Sequence, residues 1–374
     1  EVRISAVARS ADWIKTHYNN QQWPNKADWP DEGFITVTDA LGSDIADFPV
    51  LVSIQDDPQL KTTASGGMVM NANGYDIIFT SDAAGTIPLS HEVESYDGTT
   101  GTLTAWVKLP VLKFDEDTEF YLYYGNSDIS SSQENVAGVW DSNYVMVQHL
   151  EETDIDGGAG DIKDSTSPQY NAATSGMDGS DQVAGKVAGS FDFDGTSDYM
   201  TVPEAAGLDI SAELTVEAWV NLANAAGDQK IVGKTGTLPY YGFVMGVEDN
   251  GLKPEFWDSS GTRYTFKSGT IPSDQWTHLV LSWKTDGSLT GYINGSSVDS
   301  IANGSNDLGT NDADLIIGAA PWIPDTLEAD GKIDEIRISN TARPAAWIQT
   351  NYNNQRWPNK AQHPDEGFIT VQRG

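Results

Sequence analysis

The sequence predicts an all-β fold of two β-sandwich or jelly-roll domains, joined by a short helix and an irregular connector. Three observations predict it: short segments rich in β-branched and aromatic residues, turn residues between them, and no long helical pattern. The 374 residues include 36 glycines and 16 prolines, which suits a chain with many tight turns. At about 100–200 residues per domain, this length allows two or three domains with cores of their own.

The composition excludes several classes of function. With 21 Lys and Arg against 55 Asp and Glu, the net charge is −34, so no nucleic-acid partner is expected. The chain has no cysteine, which excludes disulfides, thiolate metal sites and a cysteine nucleophile. No apolar run reaches the roughly 18–20 residues that span a bilayer, so no membrane insertion is expected in this segment. Because it opens on Glu1 without a signal peptide, we expect an internal piece of a longer polypeptide.

The two ends of the chain are copies of one segment. Residues 1–37 and 335–371 are related by an offset of 334, and 27 of the 37 aligned positions are identical. We therefore expect a tandem array with a period of about 334 residues. Residues 1–32 would end a preceding repeat, and residues 340–374 would contain the helix and connector that start the next.

Each copy has the same predicted elements. Residues 335–339 (EIRIS) should close a sandwich, and their copy 1–5 (EVRIS) should complete the corresponding domain of a neighbouring unit. A helix follows over 11–18, or from Pro344 to Asn353–Asn354 in the second copy, before the connector and a strand at 33–37. The predicted assembly interface consists of Val2, Ile4, Trp13, Ile14, Tyr18 and Trp23.

Residues 33–135 are predicted to form the first sandwich. The strand-like segments are 48–54 (FPVLVSI), 75–79 (YDIIF), 103–109 (LTAWVKL) and 120–124 (FYLYY). The segments 48–52 (FPVLV), 76–79 (DIIF), 106–108 (WVK) and 121–126 (YLYYGN) resemble a bacterial and archaeal domain family without assigned function that often precedes laminin-G-like domains.

Residues 136–339 are predicted to form the second domain. Five segments carry a resemblance in order: 189–203 (GSFDFDGTSDYMTVP), 214–220 (LTVEAWV), 275–280 (QWTHLV), 291–295 (GYING) and 331–338 (GKIDEIRI). They resemble laminin-G-like, concanavalin A-like jelly rolls. Alternation predicts inward-facing apolar side chains at Phe191, Phe193, Val216, Ala218, Val220, Val280, Ile336 and Ile338. Trp219, Trp276 and Trp283 are expected to fill the interior.

No residue pattern favours an enzyme. Glu92 and Glu94 are two residues apart on a predicted strand, which is the spacing that the two carboxylates of a retaining glycosidase often have. The favoured interpretation, however, is that they lie on a strand face exposed to solvent. The five histidines lack the spacing of a metal site, and His278 is expected to be a packed residue. We therefore expect a protein that is not an enzyme.

Calcium is the expected cofactor. The resemblance to laminin-G-like domains, which often bind one ion through aspartates, implies ligands among Asp164, Asp194, Asp198 and Asp334. The loop 154–161 (DIDGGAGD) resembles half of a calcium loop but lacks the terminal bidentate glutamate.

Surface glycans are a second class of expected partner. Tyr240, Tyr241, Trp257, Tyr264 and Trp322 could stack on sugar rings if they are exposed. Asn294 and Asn303 begin formal N-glycosylation sequons.

The expected function is that of a structural repeat unit of an extracellular surface filament or giant adhesin-like protein. Copies would assemble head to tail. Because the same contact is then repeated by translation, the result would be an open chain and not a closed dimer. The alternative is a carbohydrate-binding, lectin-like module of a secreted protein. Either function places the chain outside the cell or at its surface.

Overall fold

The structure is a computed structural model that describes residues 34–37, 40–324, 326–359, 361 and 368–372. The chain forms two compact units, the first made of Glu1–Val139 with Asn353–Gly374 and the second of Trp140–Tyr352. The predicted positions Val2, Ile4, Trp13, Ile14, Tyr18 and Trp23 lie outside the described residues.

The first unit contains two antiparallel sheets. Its elements are β1 Phe34–Val37, β2 Ile45–Ile54, β3 Ile78–Thr80, β4 His91–Asp97, β5 Thr102–Leu112, β6 Thr118–Tyr123, helix α1 Val136–Val139 and, at the far end of the chain, β22 Ile369–Gln372. One sheet has the order β22-β1-β6-β3 and the other β2-β5-β4. Fully buried Phe79 and Phe120 lie with ring centroids 6.1 Å apart in the core.

Strand β2 is an edge strand, and its sequence suits that place. Its only ladder in the described sheet is with β5, where Leu51 lies opposite Trp106. Pro49 has no N–H group to donate. Backbone N–H and C=O groups point alternately to the two sides of a strand, so the backbone groups of Pro49, Leu51 and Ser53 all point to the same side. A proline is tolerated there because its missing donor points away from β5.

The third predicted strand is shorter than expected. The 75–79 segment becomes a strand only at Ile78–Thr80, because the carboxylate of Asp76 instead organises a turn. Its oxygens accept hydrogen bonds from the backbone N–H groups of Met70, Asn71 and Gly125. A polar side chain that collects backbone donors competes with the ladder of a strand.

The second unit is a jelly roll of two packed sheets. Its elements are β7 Tyr144–Gln148, β8 Ala173–Ser175, β9 Gln182–Ala184, β10 Gly189–Asp194, β11 Tyr199–Val202, β12 Glu213–Leu222, β13 Gln229–Lys234, β14 Gly242–Glu248, β15 Gly251–Trp257, β16 Arg263–Thr265, β17 Thr277–Lys284, β18 Ser288–Ile293, β19 Ser296–Ala302, β20 Leu315–Ile317, β21 Asp330–Ser339 and helix α2 Ala345–Arg356, whose last residues fall in the first unit. One sheet runs β19-β18-β17-β12-β21-β10-β9, with β7 also paired to β21, and the other runs β16-β15-β14-β13-β20-β11-β8. This arrangement confirms the predicted all-β fold class.

Alternation along β12 decides which side chains enter the core between these sheets. Val216, Ala218 and Val220 join the buried apolar cluster, as predicted. Glu217 and Trp219 therefore point to the opposite face of the sheet. The prediction that Trp219 fills the interior is wrong: it is buried, but under a helix and not between the sheets. Trp283 does lie in the core, whereas Trp276 is only half-buried.

Helix α2 extends beyond its predicted end. It begins at Ala345, one residue after Pro344, and continues past Asn353 and Asn354 to Arg356. Asn354 is fully buried, so its side chain is held by tertiary contacts and does not compete for the local backbone.

Candidate functional site

The outer face of the eight-stranded sheet carries a buried surface that we call the helix-binding face, formed by Tyr144, Glu217, Trp219 and His278. Glu217 and Trp219 lie on β12, and His278 lies opposite Trp219 on the neighbouring strand β17. Residues of α2 cover this face, so polar and aromatic groups that would otherwise meet water become buried.

Tyr352 supplies the aromatic contact of the helix. Its ring stacks on Trp219 at 5.7 Å and on His278 at 5.9 Å between centroids. Gly295, in the turn after β18, permits this approach, because a Cβ added there would lie 2.9 Å from the Tyr352 ring. The same turn has φ of 51° at Asn294 and 76° at Gly295, which confirms the predicted Asn-Gly hairpin geometry.

Asn351 supplies a polar contact to the same face. Its Nδ2 donates to Glu217 Oε2 at 2.8 Å, and His278 Nε2 lies 3.3 Å from the same carboxylate oxygen. Glu217 is only 3% exposed, so these two neighbours offset the cost of burying its carboxylate. The predicted packing of His278 is confirmed, since it is 1% exposed and lies against Trp219 and Tyr352.

Arg343 anchors the start of the helix. Its guanidinium makes a two-point ion pair with Asp141, at 2.8 and 3.0 Å, and lies 4.6 Å from the ring centroids of both Tyr144 and Trp347. Burial works to lower the pKa of Arg343, but Tyr144 and the bonded Asp141 outweigh it and raise that pKa. A planar guanidinium suits this place because it can pair and stack at once.

A second buried ion pair lies in the closing strand β21. Glu335 has φ of 54° at a bulge opposite β12, and its carboxylate bonds to His149 Nδ1 at 2.7 Å and to Arg337 Nε at 3.0 Å. Burial works to raise the pKa of Glu335, but the neighbouring His149 and Arg337 hold it below its usual value. Sequence reasoning missed this pair, although a Glu and an Arg two residues apart on one strand share a face.

The two copies of the repeated segment differ less often at buried positions than at exposed ones. Between residues 335 and 359, thirteen side chains are buried, and eleven of these are identical in the first copy. Five positions in the same span are exposed, and four of them differ. The two buried differences are Ile336, which is Val2 in the first copy, and Asn351, which is His17. Most of the buried surface of the segment is thus the same in both copies, with Asn351, the polar contact to Glu217, replaced by His17.

The four predicted calcium ligands lie in three places. Asp194 and Asp198 are neighbours, because the backbone N–H of Asp194 donates to Asp198 Oδ2 at 2.9 Å. Asp164 accepts backbone N–H groups in another loop, and Asp334 Oδ2 accepts those of Lys186 and Val187. Among the described residues, these aspartates do not form a group of three or more converging acidic side chains. A site that adds backbone carbonyls stays a prediction.

The two neighbouring aspartates differ in acidity. Burial raises the pKa of Asp198 to about 6, with repulsion from Asp194 and Asp181 adding to it. At Asp194, burial acts in the same direction, but hydrogen bonds from Thr196 and Ser197 outweigh it and lower the pKa. Asp198 is therefore the weaker acid of the two and takes up a proton at a higher pH than Asp194.

Both sequon asparagines are half-exposed and hydrogen-bonded. Asn294 Oδ1 accepts from the backbone N–H of His278 at 3.0 Å. Asn303 Nδ2 donates to the carbonyl of Lys284 at 2.8 Å, and its Oδ1 accepts from Gly287. Glycosylation at either position stays a prediction.

Three of the five predicted sugar-stacking aromatics converge in what we call the aromatic loop cluster: Tyr240, Trp257 and Trp322. The Tyr240 ring lies 5.3 Å from that of Trp257 and 6.0 Å from that of Trp322. Tyr240 and Trp322 are half-exposed, whereas Trp257 is 7% exposed. The Arg263 guanidinium lies 5.6 Å from the Trp257 ring.

The other two aromatics pack inward. Tyr264 lies edge-on to the core residue Trp283 at 5.2 Å. Tyr241 packs so closely on Gly309 that a Cβ there would lie 2.5 Å from its ring. Both are half-buried, and among the described residues neither has a ring contact with the aromatic loop cluster. The sequence could not distinguish these two residues from the aromatic loop cluster, because the distinction depends on which residues the fold brings together.

The interpretation of Glu92 and Glu94 as a solvated strand face is wrong. Glu92 is only 8% exposed, and Glu94 Oε2 accepts a hydrogen bond from the indole of Trp106 at 2.7 Å. Trp106 lies on β5, directly across from β4, so the indole reaches the carboxylate along the sheet face. Glu92 is nearly buried and Glu94 is half-buried, so the two do not form a solvated face.

Two stretches of the chain match known protein families. Residues 194–349 match the Concanavalin A-like lectin/glucanases superfamily, and residues 73–157 match the Domain of unknown function (DUF2341). The predicted order of these two domains is thereby confirmed. No curated protein sequence matched the chain. Among the described residues, no helix has the length and apolar character needed to cross a bilayer.

Solved structures of similar fold include three binding domains. They are the binding domain of Paraclostridial Mosquitocidal Protein 1 (16% identity, TM-score 0.47), the receptor binding domain of botulinum neurotoxin mosaic serotype C/D (15%, 0.44) and the botulinum neurotoxin serotype G binding domain (14%, 0.43). The matches cover 57%, 57% and 56% of this chain and 52%, 51% and 50% of those chains, so they span about half the length of each. At these identities and TM-scores, nothing further about this chain is inferred from the likeness. The concanavalin A-like domain itself is of a type found in binding modules.

Proposed function

Because the chain joins a DUF2341 domain to a laminin-G-like jelly roll, we propose that it is a structural repeat unit of an extracellular surface filament or adhesin-like protein. Copies would connect head to tail through the segment that occurs twice in the sequence. The typical extracellular occurrence of laminin-G-like domains supports this location.

One observation carries the proposal: the first copy keeps most of the contact residues of the second. Trp13, Ile14 and Tyr18 reproduce the buried Trp347 and Ile348 and the half-buried Tyr352, while four of five exposed positions differ. A segment without a packing partner would be free to change at both kinds of position. Preservation of the buried set therefore favours a partner surface for residues 1–25.

That surface must come from a second jelly roll. The helix-binding face of this chain already holds its own Asn351 and Tyr352. The first copy presents the same aromatic side chains, and large unpaired apolar surfaces are unusual on soluble proteins. We propose that residues 1–25 pack on the helix-binding face of a preceding unit. Because the contact joins two different surfaces, its repetition gives an open chain of units.

Amide hydrogen exchange on a tandem chain tests this. The tandem polypeptide consists of residues 1–334 followed directly by a complete chain of residues 1–374. The backbone amides of residues 11–22 in the second unit should exchange about a hundredfold more slowly than the same amides in the single chain. Trp13→Ala with Tyr18→Ala in the internal copy should remove this protection, because both remove rings that would pack on the jelly roll. Equal exchange of 11–22 in the single and tandem chains would contradict the proposal.

Carbohydrate binding is a second candidate function, supported by the aromatic loop cluster. Tyr240 and Trp322 are half-exposed, and Tyr240 also lies against Trp257, whose ring contacts the guanidinium of Arg263; aromatic and polar groups together suit a sugar with polar and apolar faces. If a glycan array identifies a ligand, Trp322→Ala should weaken it about tenfold, whereas Tyr241→Ala, which removes an inward-packed ring, should not. A ligand insensitive to Trp322→Ala would place binding elsewhere.

We further propose a role without catalysis. Glu94 Oε2 accepts a hydrogen bond from the Trp106 indole and Glu92 is only 8% exposed, which does not favour two carboxylates open to a substrate. Polysaccharide turnover that is lost in Glu94→Gln would contradict this view.

A further inference from the structure

Among the described residues, the edge of strand β2 that points away from β5 is contacted by two asparagine side chains of the second copy. Asn354 Oδ1 accepts the backbone N–H of Leu51 at 2.7 Å, and its Nδ2 donates to the carbonyl of the same residue at 3.1 Å. Asn359 Nδ2 donates to the carbonyl of Ser53 at 2.9 Å. The amide of Asn354 thus makes the same pair of hydrogen bonds that a neighbouring strand would make.

This contact pairs backbone groups on the edge of β2. An uncovered edge strand exposes a row of backbone donors and acceptors that can pair with other chains. Leu51 and Ser53 are two residues apart, so their outward groups lie on one edge of β2, next to Pro49, which has no donor there. Asn354 and Asn359 are 0% and 3% exposed, so their amides are desolvated and bound in this role. We call residues 354–359 the edge cap.

The chain contains the edge cap twice. Asn20 and Asn25 stand at the same offset of 334 as the rest of the repeat and keep the same spacing. Gln21, Trp23 and Pro24 reproduce Gln355, Trp357 and Pro358, so the first copy from 20 to 25 differs only at position 22. The sequence therefore contains two segments with the hydrogen-bonding groups that fit this edge of β2, and only one can occupy it at a time.

We infer that the edge of β2 is an exchange site, which accepts residues 20–25 in place of residues 354–359. When residues 354–359 occupy it, the cap comes from the segment that follows the chain's own jelly roll. When residues 20–25 occupy it, the cap comes from the segment that follows the preceding jelly roll, and residues 354–359 become available to the next copy. The inference rests on the proposed repeat-unit function for its role: the exchange would convert a self-capped unit into a linked one.

Introduced disulfides can report the occupant, because the natural chain has no cysteine. Ser53→Cys with Asn359→Cys should cross-link under mild oxidation, which establishes that the edge is accessible to the reaction. Ser53→Cys with Asn25→Cys reports the exchange in the full single chain, read by mass spectrometry of peptides. Ser53→Cys with Ser10→Cys is the matched control, since position 10 lies in the same copy but outside the edge cap.

The decisive comparison removes the competitor. Adding Asn354→Ala and Asn359→Ala to the Ser53/Asn25 cysteine pair should raise its cross-linking rate about tenfold, because three hydrogen bonds of the resident cap are lost. Adding Asn20→Ala as well should reverse that increase, while the control pair should respond to neither change.

Cross-linking at position 25 that is unaffected by the competitor, or no greater than at position 10, would overturn the inference. Circular dichroism of each variant shows whether the sandwich is still folded, so that loss of fold is not read as loss of exchange. The experiment needs no preceding jelly roll, so its failure would leave the tandem exchange measurement of residues 11–22 standing. Failure of that measurement would likewise leave the cross-linking result standing.

Discussion

Replacement of Arg343 should destabilise the jelly roll strongly, and the reason lies in three contacts of its guanidinium. The Arg343→Ala variant removes a two-point ion pair with Asp141 and two ring contacts at 4.6 Å. It also leaves the Asp141 carboxylate, whose side chain is 12% exposed, without that partner.

The magnitude follows from these contacts. Breaking a largely buried ion pair from one side costs about 3–5 kcal/mol, and each cation–ring contact adds about 0.5–1 kcal/mol. For a unit of about 200 residues, 1 kcal/mol lowers the melting temperature by about 2–4 °C, so we expect a fall of about 10 °C or more. Arg343→Lys should recover only part of it, because an ammonium cannot pair with two oxygens and stack at once.

Differential scanning calorimetry is the assay, since the two units need not melt together. The chain supplies its own control: Arg9 is the copy of Arg343, and Arg9→Ala in the single chain should change stability by no more than about 0.5 kcal/mol. In the tandem chain, where the internal Arg9 would take the place of Arg343, the same change should lower the melting temperature of the first jelly roll. A fall below 2 °C in Arg343→Ala, or an equal fall in the single-chain Arg9→Ala, would refute the reasoning.

Three further outcomes are expected. Because the pKa of Asp198 is raised to about 6 from 3.8, the stability that its protonation contributes is present below about pH 3.8 and is lost as the pH rises to about 6. Asp198→Asn should remove this component from the pH dependence of unfolding, and an unaltered pH profile would speak against it. If a calcium ion binds in the 136–339 domain, excess chelator should lower its melting temperature, whereas an unchanged melt with no metal in elemental analysis would exclude the ion. Deletion of residues 1–9, or Asp at both Val2 and Ile4, should abolish end-to-end association seen by electron microscopy without unfolding that domain; filaments that persist would exclude the duplicated strand as the joint.

Local sequence pattern predicted much of the architecture. Period-two alternation identified β12 and its inward-facing Val216, Ala218 and Val220, because neighbouring residues of a strand must point to opposite faces. The Asn-Gly pair located the turn between β18 and β19, because few other residues accept positive φ there. The duplication was visible in the sequence because identity between two segments requires no knowledge of the fold.

Only the tertiary structure decided what covers the second face of a sheet and the free edge of a strand. Alternation places Trp219 on the same side as Glu217, but a distant helix residue, Tyr352, determines that this side is buried. Likewise, the sequence alone predicts that the helix ends at Asn354. In the structure, the side chain of Asn354 instead bonds to the backbone of Leu51, which lies more than 300 positions earlier on the edge of β2. Both outcomes depend on contacts between residues far apart in the chain, and a local pattern records the geometry of a strand but not its neighbours.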